Sequence, residues 1–324
     1  MKSKLVEEYC LISLNEERVD ENTCTMKIKN KCIAAALLFQ TFLENNQNYV
    51  LTIDGVKSMP EDAKCALNLL DISVEGISLN ELLAGIKKLT SQDFTKIANA
   101  QKENFIKCGN VEEISALLEC DLNYETSKVR LFEYRSNPEK YFDTIENVRK
   151  EVFGSEKLSD EKIFLIWLLN ESQDLVKIFD DSEIGFLNEI IEQVCKEKKI
   201  FHTLFENTII NKANKIEKQF LKEKEKWAKT DVGVGVVSRI PVLQKSESIF
   251  IETQKMFADN LQRVKAVEER VKEKGHLFEV ISLGSKTAIV KIDNGYYELI
   301  PDAVRVYFMN IHGVRLRRYE YVKN

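Results

Sequence analysis

The sequence predicts a mainly α protein. It would comprise a multi-helix domain with a central buried helix and one β-hairpin, then a long helix and a small C-terminal β-barrel-like module. Three observations predict this. Ile163–Leu169 is an unbroken apolar run behind Ser159-Asp160-Glu161, an N-cap with two acids in the first turn. A helix apolar on every side is buried in protein or in a bilayer, and this run is far short of the about 20 residues that span one. Capped amphipathic patterns recur on either side of it, and beyond Gly275 the apolar period changes from helical to two.

In order, Leu5–Leu14 reads as a short helix or strand entering the core, followed by a polar loop to about Asn30 that holds Lys27 and Lys29, with Lys31 at its end. Cys32–Leu43 is rich in good helix formers. Tyr49–Ile53 alternates as a strand and ends at Asp54-Gly55, a turn pair. Pro60 opens a helix over Glu61–Leu70, Ser78 and Glu81 form a capping box for a helix to about Leu89, and Ser91–Cys108 is a helix stopped by Gly109. Val111–Tyr134 suggests a hairpin, and Asn137-Pro138 starts a helix to Phe153. Glu183–Ile200 and Phe201–Trp227 follow as helices, the second with lysines from Lys212 to Lys229 at helical spacing. Thr230–Leu243 reads as a linker. Its Gly-x-Gly lacks the third glycine and the strand–turn–helix setting of a nucleotide loop. Ser248–Lys274 reads as one long helix with Phe250, Phe257, Val264 and Val271 seven residues apart and Leu261 between, a pattern that fits self-association. Five strands close the chain: Leu277–Leu283, Lys286–Ile292, Tyr296–Ile300, Val304–Met309 and Val314–Val322. The expected domains are 1–229, 230–276 and 277–324.

Composition narrows the function classes. Charged residues make up 31% and hydrophobic ones 44%, as in a globular protein, and no run reaches membrane-spanning length. Seven scattered cysteines without a C-x-x-C pair read as reduced thiols, so a cytoplasmic protein is expected. Three histidines at unrelated spacings give no metal pattern, so neither metal nor cofactor is expected. No serine elbow, Walker loop or Cys–His pairing stands out, and no enzyme is expected. Residues 212–324 carry 22 Lys and Arg against 15 Asp and Glu, whereas residues 1–211 carry 25 against 37. A basic third on an acidic body suits either an anionic partner or a solvated charged surface.

The order of elements resembles the Golgi phosphoprotein 3 family (the GPP34 domain) over about residues 5–210. The resemblance rests on Glu8-Tyr-Cys-Leu-Ile-Ser-Leu-Asn-Glu16, Ile33–Leu43, Ser78-Leu-Asn-Glu-Leu-Leu83, Phe105–Gly109, Arg135–Pro138 and Arg149–Phe153 with the central helix behind them. It implies a non-enzymatic helical adaptor that binds phosphatidylinositol 4-phosphate on membranes, while the C-terminal part has no counterpart in it. The family's headgroup pocket uses a Trp and three Arg. The matching positions here fall near Thr25, Ala34, Thr95 and Ala98, none aromatic or basic, so the rigid guanidinium forks that suit phosphate are missing.

The expected function is therefore a peripheral adaptor on an anionic membrane or phosphoinositide, with Lys27, Lys29, Lys31 and Lys96 as weak headgroup contacts. Ile114, Leu117 and Leu118 on the hairpin would touch the membrane or a neighbouring subunit, unless they pack beneath their own loop. The alternative is a scaffold of the same fold that binds no lipid and forms a homo-oligomer through the 248–274 helix (Phe250, Phe257, Leu261, Val264). A protein partner could also meet the C-terminal module. Arg315, Arg317 and Arg318 beside Tyr319 and Tyr321 admit a nucleic-acid contact, which is the least favoured reading.

Overall fold

The computed structural model describes residues 5–20, 23–47, 50–51, 57, 61–70, 76–122, 130–154, 157–210, 249–253, 258–284, 287–306 and 308–318. The lysine-bearing segment 212–229, the linker 230–243, Pro60, the Asp54-Gly55 turn, Phe257, Tyr319 and Tyr321 lie outside the described residues.

The chain is mostly helical with small antiparallel sheets. In order it forms α1 (Leu5–Leu14), β1 (Glu17–Arg18), α2 (Cys24–Asn45), β2 (Asn46–Gln47), β3 (Val50–Leu51), α3 (Glu61–Asn68), β4 (Ile77–Ser78), α4 (Leu79–Lys88) and α5 (Ser91–Lys107). Then come β5 (Val111–Ser115), β6 (Phe132–Ser136), α6 (Pro138–Phe153), α7 (Asp160–Glu171), α8 (Asp181–Glu197) and α9 (Lys199–Glu206). The C-terminal part holds β7 (Phe250–Glu252), α10 (Asn260–Glu273), β8 (Phe278–Leu283), β9 (Ala288–Ile292), β10 (Gly295–Val306) and β11 (Met309–Arg318). These elements make two compact units. One comprises 1–14, 21–111 and 139–222; the other comprises 15–20, 112–138 and 223–324. Both are discontinuous in sequence, so segments 15–20 and 112–138, expected in a 1–229 domain, belong with the C-terminal sheet.

The helical unit is centred on α7, as the apolar run predicts. Ser159 accepts the Lys162 N–H at 3.4 Å, and Ile163–Leu169 are all buried. Phe39 of α2 sits 4.9 Å from Phe164 and 5.6 Å from Trp167, ring centre to ring centre, and Phe201 of α9 meets Phe164 edge-on. Each such buried ring or aliphatic chain contributes about 1.5–3 kcal/mol. The one cation inside the run's first turn, Lys162, is matched by Glu8 of α1 at 2.5 Å. Capping boxes at Ser78/Glu81, Thr90/Asp93 and Asp180/Glu183 start α4, α5 and α8, and Gly109 at φ +69° follows α5 in the conformation glycine allows. The polar loop expected up to Asn30 is helix instead. Thr23 accepts the Met26 N–H at 3.1 Å, so α2 begins at Cys24 and carries the lysines on its first two turns.

In the other unit β1, β6 and β5 form one sheet, which includes the expected hairpin, and the C-terminal strands form another in the order β7-β11-β10-β9-β8, all antiparallel. Three expectations need correction. Phe250 is in a strand, not a helix: β7 pairs with β11, and the Phe250 N–H is held by Asp121 at 2.8 Å. The helix starts only at Asn260, capped by Asp259. An apolar residue seven places from the next is as compatible with a strand followed by a helix as with one helix, so the spacing could not tell them apart. Tyr296–Ile300 and Val304–Met309 are not two strands, because β10 runs through Pro301. Pairing with β9 ends at Leu299, so the missing proline N–H interrupts no ladder on that side. Finally, β7 and β8 are the two edges and do not pair with each other among the described residues, so the sheet is open there rather than closed as a barrel. Segment 15–20 is held by Asn15, whose Oδ1 accepts Ser136 N–H and Asn294 Nδ2, and by Glu16 on Arg318 at 2.8 Å.

Candidate functional site

The four lysines expected to meet a headgroup do not form a group. Lys27 and Lys96 are exposed and Lys31 is half-buried, whereas Lys29 is 0% exposed. On a helix, residues four apart share a face and residues two apart do not, so α2 turns Lys29 inward as it turns Lys27 and Lys31 outward. Lys29 Nζ lies 2.8 and 3.0 Å from the two Asp174 carboxylate oxygens and donates to Ser13 O at 2.5 Å and Ser13 Oγ at 3.0 Å. Asp174 also accepts the hydroxyls of Ser13 (2.8 Å) and Ser172 (2.6 Å). This is a closed ion pair joining α1, α2 and the turn after α7. Lys29 is thus a structural residue, which corrects its place among the headgroup contacts. Lys102 of α5 is likewise buried, donating to Asn30 at 3.1 Å.

Thr25, Ala34 and Ala98, where the family resemblance would put headgroup ligands, are buried, and the Thr95 hydroxyl bonds back to Ser91 O at 2.9 Å. Small side chains at these places suit helix packing better than a phosphate pocket.

On the hairpin, Ile114 is half-buried, but Leu117 and Leu118 are 7% and 5% exposed. They sit in a 3-10 turn, Leu117–Cys120, and join the apolar core of the sheet unit with Val264 and Val267 of α10. A membrane or subunit contact through these two leucines is corrected accordingly, because hairpin and C-terminal sheet share one core. The same core takes part of the expected self-association stripe: Val264 and Val271 belong to it and Phe250 is buried, while Leu261, in the first turn of α10, is 67% exposed.

Among the described residues, the most exposed large apolar side chain lies at the end of what the sequence reads as the strand Val304–Met309. Phe308 is 95% and Met309 69% exposed, at the turn between β10 and β11. β9 pairs with β10 no further than Leu299, and β7 pairs with β11 only from Gly313 to Arg315. Val304–Val306 and Met309–Ile311 therefore pair with each other as a two-stranded ribbon, and three residues at about 3.4 Å each carry the tip about 10 Å out. A sequence signal existed: Val306-Tyr-Phe-Met309 breaks the alternation of a half-buried strand with consecutive apolar residues at a turn.

The arginines of β11 are matched by acids: Arg315 with Asp302 at 2.6 Å, Arg317 with Glu298, and Arg318 with Glu16. Local neutralisation leaves less charge for phosphates than the bare count suggests. Burial pushes the Cys120 thiol up to about 12 and drives Cys10 and Cys32 upward as well, so none of these supplies a thiolate nucleophile near neutral pH. Among the described residues no helix is long and apolar enough to cross a membrane.

Fold and surfaces together define a mostly helical protein with an open antiparallel sheet and an apolar ribbon tip. No protein-family model matches the chain, and no curated protein matches it.

Proposed function

We propose that the protein is a non-enzymatic peripheral adaptor that docks on anionic membrane surfaces. The observation that carries this reading is the near-complete exposure of Phe308, with Met309 beside it, at the end of a narrow ribbon. Leaving such a ring in water forgoes about 1.5–3 kcal/mol that an apolar environment would return. In the helical unit Lys27 and Lys96 are exposed, and a lysine near a charged leaflet is worth about 1 kcal/mol, weakened by salt. The GPP34 resemblance supports the same class and suggests phosphatidylinositol 4-phosphate. The absent Arg and Trp positions argue for charge-driven docking over headgroup selectivity. All seven cysteines are free thiols, which suits the cytoplasmic side.

Co-sedimentation with neutral, generally anionic and phosphatidylinositol-4-phosphate vesicles tests this. Binding to all anionic vesicles is expected, falling with salt, weakened by Lys27→Glu/Lys96→Glu and more by Phe308→Ser/Met309→Ser. No sedimentation at low salt would overturn it and favour the scaffold alternative, with the ribbon tip as a protein contact. Of the residues expected to mediate self-association through the 248–274 helix, Val264 lies in the core of its own unit and Leu261 is exposed, which leaves that alternative fewer apolar residues to work with.

A further inference from the structure

We infer that His276, Glu133 and Asp293, all in the sheet unit, form a site for one divalent transition-metal ion. Gly275, at φ +88°, ends α10 and turns His276 inward, where its side chain is 0% exposed. Asp293 occupies the β9–β10 turn at φ +51°. One of its oxygens meets His276 Nδ1 at 2.6 Å; the other accepts the Leu277 N–H at 3.0 Å and Arg135 Nη1 at 2.6 Å. With both carboxylate oxygens accepting, Nδ1 carries a proton, so Nε2 is the ring nitrogen left for a metal ion. That Nε2 is buried and has no hydrogen-bond partner. A buried polar atom left unmatched is destabilising, and a metal ion would satisfy it.

Glu133 comes from β6, two residues from Arg135 and so on the same side of the strand. One oxygen of its carboxylate, one ring nitrogen of His276 and one Asp293 oxygen lie within 4.8 Å of one another; its Oε1 also accepts the Leu117 N–H at 3.2 Å, and its partial exposure gives an ion a way in.

A carboxylate that fixes the other ring nitrogen is the usual arrangement behind a metal-bound histidine. Asp293 serves as the positioning group; His276 Nε2 and Glu133 are the donors, with water completing the shell. Imidazole with carboxylate suits Zn²⁺, Mn²⁺ or Ni²⁺ rather than Ca²⁺. The ion would tie β6, the α10–β8 connection and the β9–β10 turn together.

The test uses the full chain, stripped with chelator, in a His202→Ala background, since His202 lies 3.2 Å from Glu206 and could take metal by itself. Mn²⁺ is the probe because it disfavours the thiols. We expect one equivalent by calorimetry and paramagnetic broadening of the His276 ring signals but not those of His312. Glu133→Gln, a mild change at a partly exposed site, and Asp293→Asn should each weaken binding about 10–100-fold. His276→Ala should abolish it. Sharp His276 signals at saturating Mn²⁺, or equal affinity in folded Glu133→Gln, would overturn the proposal. So would an Nε2 that simply takes up a proton, with metal making no difference to its titration.

Discussion

Replacing Asp174 by Asn should destabilise the helical unit more than any surface change. At 2.8 Å and an effective dielectric constant near 20, the Lys29–Asp174 attraction is about 6 kcal/mol, most of it offset by desolvation of the two ions. Removing one charge leaves the other buried: the Lys29 ammonium would lose the carboxylate at 2.8 Å, and the Ser13 and Ser172 hydroxyls would lose a carboxylate acceptor. Uncompensated buried charges of this kind cost about 3–5 kcal/mol. Lys29→Met should cost less, because Asp174 keeps Lys177 Nζ at 3.8 Å and the Ser13 and Ser172 hydroxyls. The double variant should fall short of the sum of the singles by several kcal/mol, because the second change removes a charge already stranded. Urea unfolding of wild type, both singles and the double closes the cycle, and melting should drop by on the order of 10 °C in each single. Two singles each below about 1 kcal/mol, or strict additivity, would refute the argument. A functional corollary follows: Lys29→Ala would impair vesicle binding through unfolding, so Lys27 and Lys96 are the lysines that test docking.

Gly313→Ala should detach β7, since a Cβ there would lie 2.3 Å from Ile251 O and 2.6 Å from the Phe250 ring. The expected cost is about 1–3 kcal/mol, with faster hydrogen exchange at 250–252; unchanged exchange would contradict it. Glu171 gives a pH signature. Burial pushes its carboxyl above the ordinary 4.5, despite hydrogen bonds from Thr208 and the Ile209 N–H. A folded value raised above the unfolded one favours the fold below the unfolded value, and that favour is lost as pH rises through the folded value. Glu171→Gln, which keeps an acceptor oxygen, should therefore be at least as stable as wild type at pH 7. That advantage should vanish near pH 4; a variant less stable at pH 7 and equal at pH 4 would reverse the sign.

Much of the local structure was legible in the sequence. The capping box at Ser78, the glycine after α5 and the run Ile163–Leu169 each encode their outcome within a few residues, through hydrogen bonds and periodicity that depend on near neighbours. The candidate sites were much less legible. Lys27, Lys29 and Lys31 look equivalent in a polar stretch, yet Asp174, far along the chain, takes Lys29 out of solvent. Leu117 and Leu118 look like an apolar hairpin tip until Val264 and Val267 cover them.

By itself, the sequence determined that the chain is mostly helical, where many of its helices begin, that α7 is its buried axis, and that the C-terminal part changes to strands. Only the tertiary structure decided that the N-terminal Asn15–Asp20 belongs to the same unit as the C-terminal sheet, that the valine stripe of α10 serves an internal core, and that Glu133, His276 and Asp293 converge. The physical reason is range. Caps and periodicity act within a turn or two of the chain. Burial and charge pairing depend on which distant segment arrives, and one residue of separation on a helix or strand is enough to send a side chain to the opposite face.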